Sequence, residues 1–238
     1  MAAMLRLFVD AVLAAGAIVD LPAGPARHVQ VRRLQPGDAL VLFDGRGGQW
    51  RSRVHAMARQ SVQVELLAFE PAERELDLAV TLLVGMPANE RMDWLVEKAT
   101  ELGAAALQPL TCERSVLRLA GERAARRRAH WQALAVAAAE QCGRTRVPQV
   151  HDVRELHEVL AGLPARATRW LLSPQTGARP QRPATGQALY VLSGPEGGLS
   201  EGEEAAARAA GFEALSLGRR VLRAETAPLA LLAWLGLA

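Results

Sequence analysis

Apolar and polar positions alternate in two different textures along the chain. In residues 1–72 the apolar positions form short runs broken by turn residues: Arg6 to Val9, Ala39 to Phe43, Gln49 to His55 and Ser61 to Leu67. Runs of this length with partial period-two alternation predict strands. Asp44, Gly45, Arg46, Gly47 and Gly48 predict a hairpin turn between two of them. Pro25 to Leu34 predicts a short helix with proline in its first turn. Several short strands with little helix predict a small β-barrel, and the polar, proline-containing stretch Phe69 to Leu76 predicts a linker.

Beyond the linker, strands and helices take turns. Leu78 to Val84 is a continuous apolar run of the kind buried on both faces of a parallel sheet. Asn89 is placed to cap a helix whose apolar positions Met92, Leu95, Val96, Ala99 and Leu102 follow the helical period, with Gly103 past its end. Ala105 to Leu110 follows as a strand, so this is a βαβ unit and a parallel pair. Next come a long helix, Glu122 to Cys142, a helix Val153 to Ala161 with Asp152 as its expected cap, and a strand Arg169 to Leu172. The pattern predicts one α/β domain over residues 73–238 after a separate domain over residues 1–72.

The C-terminal fifty residues hold the densest signal. Ala188 to Ser193 is an apolar run that stops at Gly194, Pro195, Glu196, Gly197 and Gly198, and Ser200 with Glu203 forms a capping-box pattern for the helix Glu201 to Ala210. The run Phe212 to Leu217 then stops at Gly218, before Val221, Leu222, Arg223, Glu225 and a last apolar helix Pro228 to Leu237. Glycines at the carboxyl ends of strands expose backbone N–H groups where open α/β sheets hold ligands. Two such loops on neighbouring strands predict one pocket; the alternative is that the glycines serve tight turns alone.

Composition changes this picture little. The net charge is only +3, but residues 113–146 carry eight arginines against three glutamates, a balance of +5. Such a local excess suits a polyanion, with Arg114, Arg126, Arg127, Arg144 and Arg146 as candidates; a solvated helix face is the alternative. Lys98 is the only lysine, so coding bias toward arginine accounts for part of this. Cys112 and Cys142 match no metal spacing, and the five histidines form no ligand motif, so no metal is expected. Arg6 and Asp10 interrupt the apolar opening segment, and no run is long enough to span a bilayer. The expectation is a cytoplasmic protein with no membrane contact. Neither a Walker phosphate loop nor a GxGxxG fingerprint is present, which argues against a nucleotide hydrolase or a dehydrogenase.

Four blocks in order carry a resemblance: Glu97 to Gly103, Glu140 to Arg144, Gly194 to Ser200 and Leu217 to Ala227. The chain resembles the ribosomal RNA small subunit methyltransferase E family of the SPOUT superfamily over nearly its whole length. The resemblance implies an N-terminal PUA-like β-barrel and a C-terminal SPOUT-type α/β domain with a deep trefoil knot in about residues 169–238. It implies a homodimer that transfers a methyl group from S-adenosyl-L-methionine to N3 of a uridine in the decoding region of 16S rRNA, within the assembled small subunit. The cofactor would lie on Leu171, Leu172, Ser173, Ser193, Gly194, Pro195, Glu196, Gly197, Gly198, Leu217, Gly218, Val221, Leu222 and Arg223. Uridine N3 must lose a proton before its lone pair can attack, so a base or a stabiliser of the anion is needed. Arg144, Arg223 and Glu225 are the candidates; Glu225 at the start of the last helix has a simpler reading, a carboxylate favoured by the helix dipole.

Overall fold

The computed structural model of the 238-residue chain describes residues 4–59, 61–88, 90–174 and 178–237. Two compact units share the chain: one runs through Glu75 and adds Ala139–Val147, and the other comprises Leu76–Ala138 with Pro148–Ala238. The first expected domain thus gains a few residues at its end and a nine-residue segment that lies far away in sequence.

The first unit contains β1 (Arg6–Phe8), β2 (Ile18–Asp20), α1 (Ala23–Val31), β3 (Ala39–Phe43), β4 (Gln49–Met57) and β5 (Val62–Glu70). They form a mixed sheet in the order β1-β3-β4-β5-β2, antiparallel except for β1 with β3. Leu7 from one edge strand, Leu40, Leu42, Val54, Val64 and Leu66 from the central strands, and Val29 of α1 share a single core against which Val19 of the other edge strand packs. A sheet whose two edges pack on one core is curled in the manner of a small barrel, and register shifts between β4 and β5 bend it. The edge strand β1 is covered by the added segment: Glu140 Oε1 accepts the Phe8 N–H at 2.9 Å, and Arg6 Nη2 donates to the Arg144 carbonyl at 3.0 Å. β2 has no counterpart among the expected strands, because three residues are too few to show a period. The stretch expected as linker begins inside β5, so the connecting piece is shorter than its composition indicated.

The second unit contains β6 (Ala79–Gly85), α2 (Glu90–Glu101), β7 (Ala106–Thr111), α3 (Gly121–Cys142, its last turn counted with the first unit), β8 (Gln149–Val150) and β9 (Arg154–Glu155). It continues with α4 (Leu156–Ala161), β10 (Thr168–Leu172), β11 (Ala188–Ser193), α5 (Glu201–Ala209), β12 (Glu213–Leu215) and α6 (Thr226–Leu237). Its sheet is parallel throughout, in the order β12-β10-β11-β6-β7-β8, with β9 also on β7. Side chains alternate across a strand. Leu83, Leu171 and Leu192 therefore share one core with Leu156 and Val159 of α4 and Ala207 of α5, whereas α6 contacts both α2 and β11.

Met92, Leu95, Val96 and Ala99 of α2 are buried as their spacing predicts. The expected cap Asn89 lies outside the described residues, as do residues 175–177 of the polar loop before β11. The capping box at α5 is formed in both directions, with Ser200 Oγ accepting from the Glu203 N–H and Glu203 Oε2 accepting from the Ser200 N–H. The expectation for α4 needs correction: residues 154–155 pair with β7, the helix starts at Leu156, and Asp152 lies too far upstream to cap it. Among the described residues no helix is long and apolar enough to cross a membrane.

Candidate functional site

β10, β11 and β12 run parallel, so their carboxyl ends share one edge of the sheet. The loops leaving them, residues 171–174, 193–199 and 215–224, line a cleft of about 570 Å³. β11 and β12 are not neighbours as expected, because β10 lies between them, and its own loop supplies the third wall. Leu171, Leu172, Ser173, Ser193, Gly194, Pro195, Glu196, Gly197, Gly198, Leu217, Val221, Leu222 and Arg223 all line this cleft. Gly218 is not among the lining residues; its N–H donates to Ser216 Oγ at 3.3 Å and shapes the turn. Arg91, Leu199, Ser216, Arg220 and Ala224 line it as well. Arg220 and Ala224 lie within the block Leu217 to Ala227 and Ser216 just before it, whereas Arg91 comes from α2 and left no sequence signal.

The glycine loop is held by close backbone crossings, by Arg114 and by its own Glu196. At Gly85, the end of β6, a Cβ would stand 2.5 Å from both the Pro195 ring and its nitrogen, so only glycine lets the 194–195 turn cross that strand. At Gly197, which lines the cleft, a Cβ would stand 3.0 Å from Arg114 Cβ, so the loop also approaches Arg114 closely there. Arg114 Nη1 in turn donates to the carbonyls of Gly197 and Leu199, both at 3.2 Å. Beside it the Glu113 N–H donates to Glu203 Oε1 at 2.8 Å. Glu196 ties the other side of the loop, accepting from the Ala88 N–H at 2.9 Å and from Arg91 Nη1 at 3.3 Å. Burial, then the negative charge of Glu203, pushes the Cys112 thiol up to about 12, so it stays protonated at neutral pH and is no nucleophile.

Next to this cleft lies a smaller one of about 360 Å³, lined by Glu90, Arg91, Trp94, Arg223, Glu225 and Thr226. Arg91 and Arg223 line both. Glu225 is only 6% exposed, and its Oε2 has no hydrogen-bond partner among the described residues. A buried carboxylate oxygen without a donor is costly, and native proteins keep few of them outside functional sites. Arg223 is exposed at the same rim.

The arginines expected to meet RNA have diverse surroundings. Arg114 is the fastener of the glycine loop just described. Arg126 pairs with Glu122 at 3.2 Å on the exposed face of α3, Arg146 pairs with Glu73 at 3.4 Å, and Arg127 leans over Trp131 with Asp93 Oδ1 3.5 Å away. The exposed pairs of Arg126 and Arg146 are weak. Arg144 differs: it is 3% exposed and ion-paired with Glu75, Nε at 3.1 Å from Oε1 and Nη2 on Oε2. Meeting a target nucleotide would first require opening that buried pair. Among the described residues no group of His, Cys, Asp and Glu is disposed to hold a metal.

The model of an RNA methyltransferase domain matches residues 74–236, and that of an RNA methyltransferase PUA domain matches residues 26–67. Ribosomal RNA small subunit methyltransferase E of Synechocystis is 35% identical over 224 residues, 91% of this chain and 72% of the relative. The chain belongs to the ribosomal RNA small subunit methyltransferase E family. The Bacillus subtilis member is 30% identical over 84% of this chain and 82% of its own length. A crystal structure of the Neisseria gonorrhoeae member bound to S-adenosyl methionine superimposes with a TM-score of 0.91 at 36% identity, covering 98% of this chain and 96% of that one. The PUA match thus falls within the first unit, and the methyltransferase match spans the parallel-sheet unit with its three-loop cleft together with residues 139–147.

Proposed function

We propose that the protein is an S-adenosyl-L-methionine-dependent methyltransferase of small-subunit ribosomal RNA that modifies N3 of a uridine in the decoding region of 16S rRNA, on the assembled subunit, in the cytoplasm. The observation that carries this reading is the single cleft built by three parallel strand ends. Its wall combines leucine and valine side chains with bare backbone at Gly194, Gly197 and Gly198, which suits an adenosine and a thioether chain. Leu172, Leu217, Val221 and Leu222 would enclose the cofactor, and backbone groups of 193–199 and 215–223 would meet its polar edges. When bound, the cofactor supplies an electrophilic methyl group on a sulfonium sulfur.

The chain's own task is the substrate proton. Glu225, which lines the adjoining cleft and has one buried oxygen without a partner among the described residues, takes the proton from uridine N3. Arg223, at the rim shared by both clefts, offsets the negative charge that spreads to O2 and O4 as that proton leaves. The N–H bond breaks toward Glu225, the freed nitrogen lone pair forms the bond to carbon, and the carbon–sulfur pair stays on sulfur. Arg126, Arg127 and Arg146 contribute positive charge toward ribosomal RNA, and the C-terminal segment is threaded as the family's deep knot.

The proposal includes a homodimer, resting on the family resemblance. The apolar character of α6 does not add to it, because Leu229 and Leu232 are buried within the chain itself. Sedimentation at micromolar concentration should give twice the chain mass. Nucleoside mapping of small-subunit rRNA by mass spectrometry, with and without the protein, should show one additional 3-methyluridine; an unchanged nucleoside profile would reject the assignment.

A further inference from the structure

A third cleft, of about 840 Å³, opens between the start of α2, the loop after β7 and the start of α3. Arg91, Arg123 and Arg127 line it, over a floor that includes Leu117 and Leu119. Two carboxylates are also present. Asp93, however, is occupied: Oδ1 accepts from Trp131 Nε1 at 2.9 Å, and Oδ2 is 2.9 Å from His130 Nε2, so its contact with Arg127 at 3.5 Å is a loose third one. Glu90 is exposed at the rim shared with the Glu225 cleft. Arg123 is exposed in the first turn of α3, where its charge opposes the helix dipole, a placement that an anion in the cleft would relieve. Arg91 is the one side chain that lines all three clefts.

We propose that the cleft bounded by Arg91, Arg123 and Arg127 binds an RNA phosphodiester flanking the nucleotide that is methylated. This rests on the methyltransferase reading above. Planar guanidinium forks match phosphate oxygens two at a time, and the apolar floor suits a ribose or a base face beside them. Because Arg91 is common to all three clefts, a phosphate held here places the next nucleotide of the strand at the cofactor cleft and at Glu225. The groove is then one place where the arginine-rich stretch meets the strand, beside the exposed charge of Arg126 and Arg146.

Arg123 makes the cleanest test, since it touches neither the glycine loop nor Glu225. Binding of unmethylated small ribosomal subunits to the whole protein would be measured at several salt concentrations, with calorimetric titration of S-adenosyl-L-methionine and a thermal melt alongside. Arg123→Ala should weaken RNA binding on the order of tenfold, as expected for one charge-assisted contact, and make the log–log salt slope shallower by roughly 0.7–0.9. Arg123→Glu should weaken it further, and cofactor affinity should not change in either variant. Arg154→Ala removes an equal charge that lines none of these clefts and pairs with Glu158, and should leave RNA binding as it is. Equal effects of Arg123→Ala and Arg154→Ala would show only diffuse charge and overturn the site, as would no effect of Arg123→Glu. A wild-type protein that bound no S-adenosyl-L-methionine would instead overturn the reading of the cofactor cleft, and the RNA affinities would still decide this one.

Discussion

The three-loop cleft and the arginine-rich stretch 113–146 were both picked out from sequence, yet they relate to their sequence signals in different ways. In the cleft, function rests on the backbone, and what shapes a backbone locally is written locally: strand runs that stop at Gly194 and Gly218, and a capping box at Ser200. Nearly every residue expected to line it does so. In the arginine stretch, what matters is the ends of long side chains, most of whose partners come from elsewhere in the chain. Arg114 fastens the glycine loop, Arg127 leans on Trp131, Arg126 pairs along its own helix, and Arg144 is locked on Glu75. Four like residues in one stretch thus have different surroundings.

The largest expected effect lies at the edge of the cleft. Glu225→Gln keeps the shape and removes the proton acceptor, so methyl transfer in single-turnover assays should fall by about 10²–10⁴-fold while S-adenosyl-L-methionine affinity holds. Unchanged transfer with slightly lower stability would return Glu225 to the simpler reading of a carboxylate at the start of α6.

Arg144→Ala should act through folding. Removing one partner of a buried pair leaves Glu75 uncompensated and should cost about 3–5 kcal/mol in denaturant unfolding, with transfer per folded molecule retained. A large loss of transfer at wild-type stability would bring Arg144 back to the target nucleotide and erase the contrast drawn between the two regions.

Arg114→Ala should separate the cofactor loop from RNA within the arginine stretch itself. Losing two donors to Gly197 and Leu199 should weaken calorimetric S-adenosyl-L-methionine binding about tenfold, with the salt slope of RNA binding unchanged and Arg114→Lys intermediate. The reverse pattern, a shallower slope with intact cofactor affinity, would make Arg114 a phosphate contact.

The smallest effect is expected at Glu140. Burial holds its carboxyl above the usual range against the pull of the Phe8 N–H and nearby cations. A raised folded value means that this group favours folding below the ordinary carboxylate pKa, and the benefit is lost as pH rises through the folded value. Glu140→Gln retains an acceptor for the Phe8 N–H without the buried charge. Its stability at neutral pH should therefore stay within about 1 kcal/mol of wild type, and melts across the weakly acidic range should show a flatter pH dependence. A steeper dependence in the variant would contradict the assignment.

Period and punctuation were enough for most elements, because hydrophobic alternation and glycine stops act over a few residues. β3 and β11 have the bounds read from sequence, and the buried face of α2 is the expected one. Short-range signals fail where pairing, not pattern, makes the element. β2 and β9 are two- or three-residue strands that exist because β5 and β7 offer them an edge, and β9 displaced the expected start of α4. By itself the sequence determined the two textures, the sites of the backbone turns and most of the loop residues that line the three-loop cleft. Tertiary structure alone decided that β10 stands between β11 and β12, that residues 139–147 belong with the first unit, and which carboxylates Arg127 and Arg144 meet. These are contacts between residues tens of positions apart, and no window along the chain contains both partners.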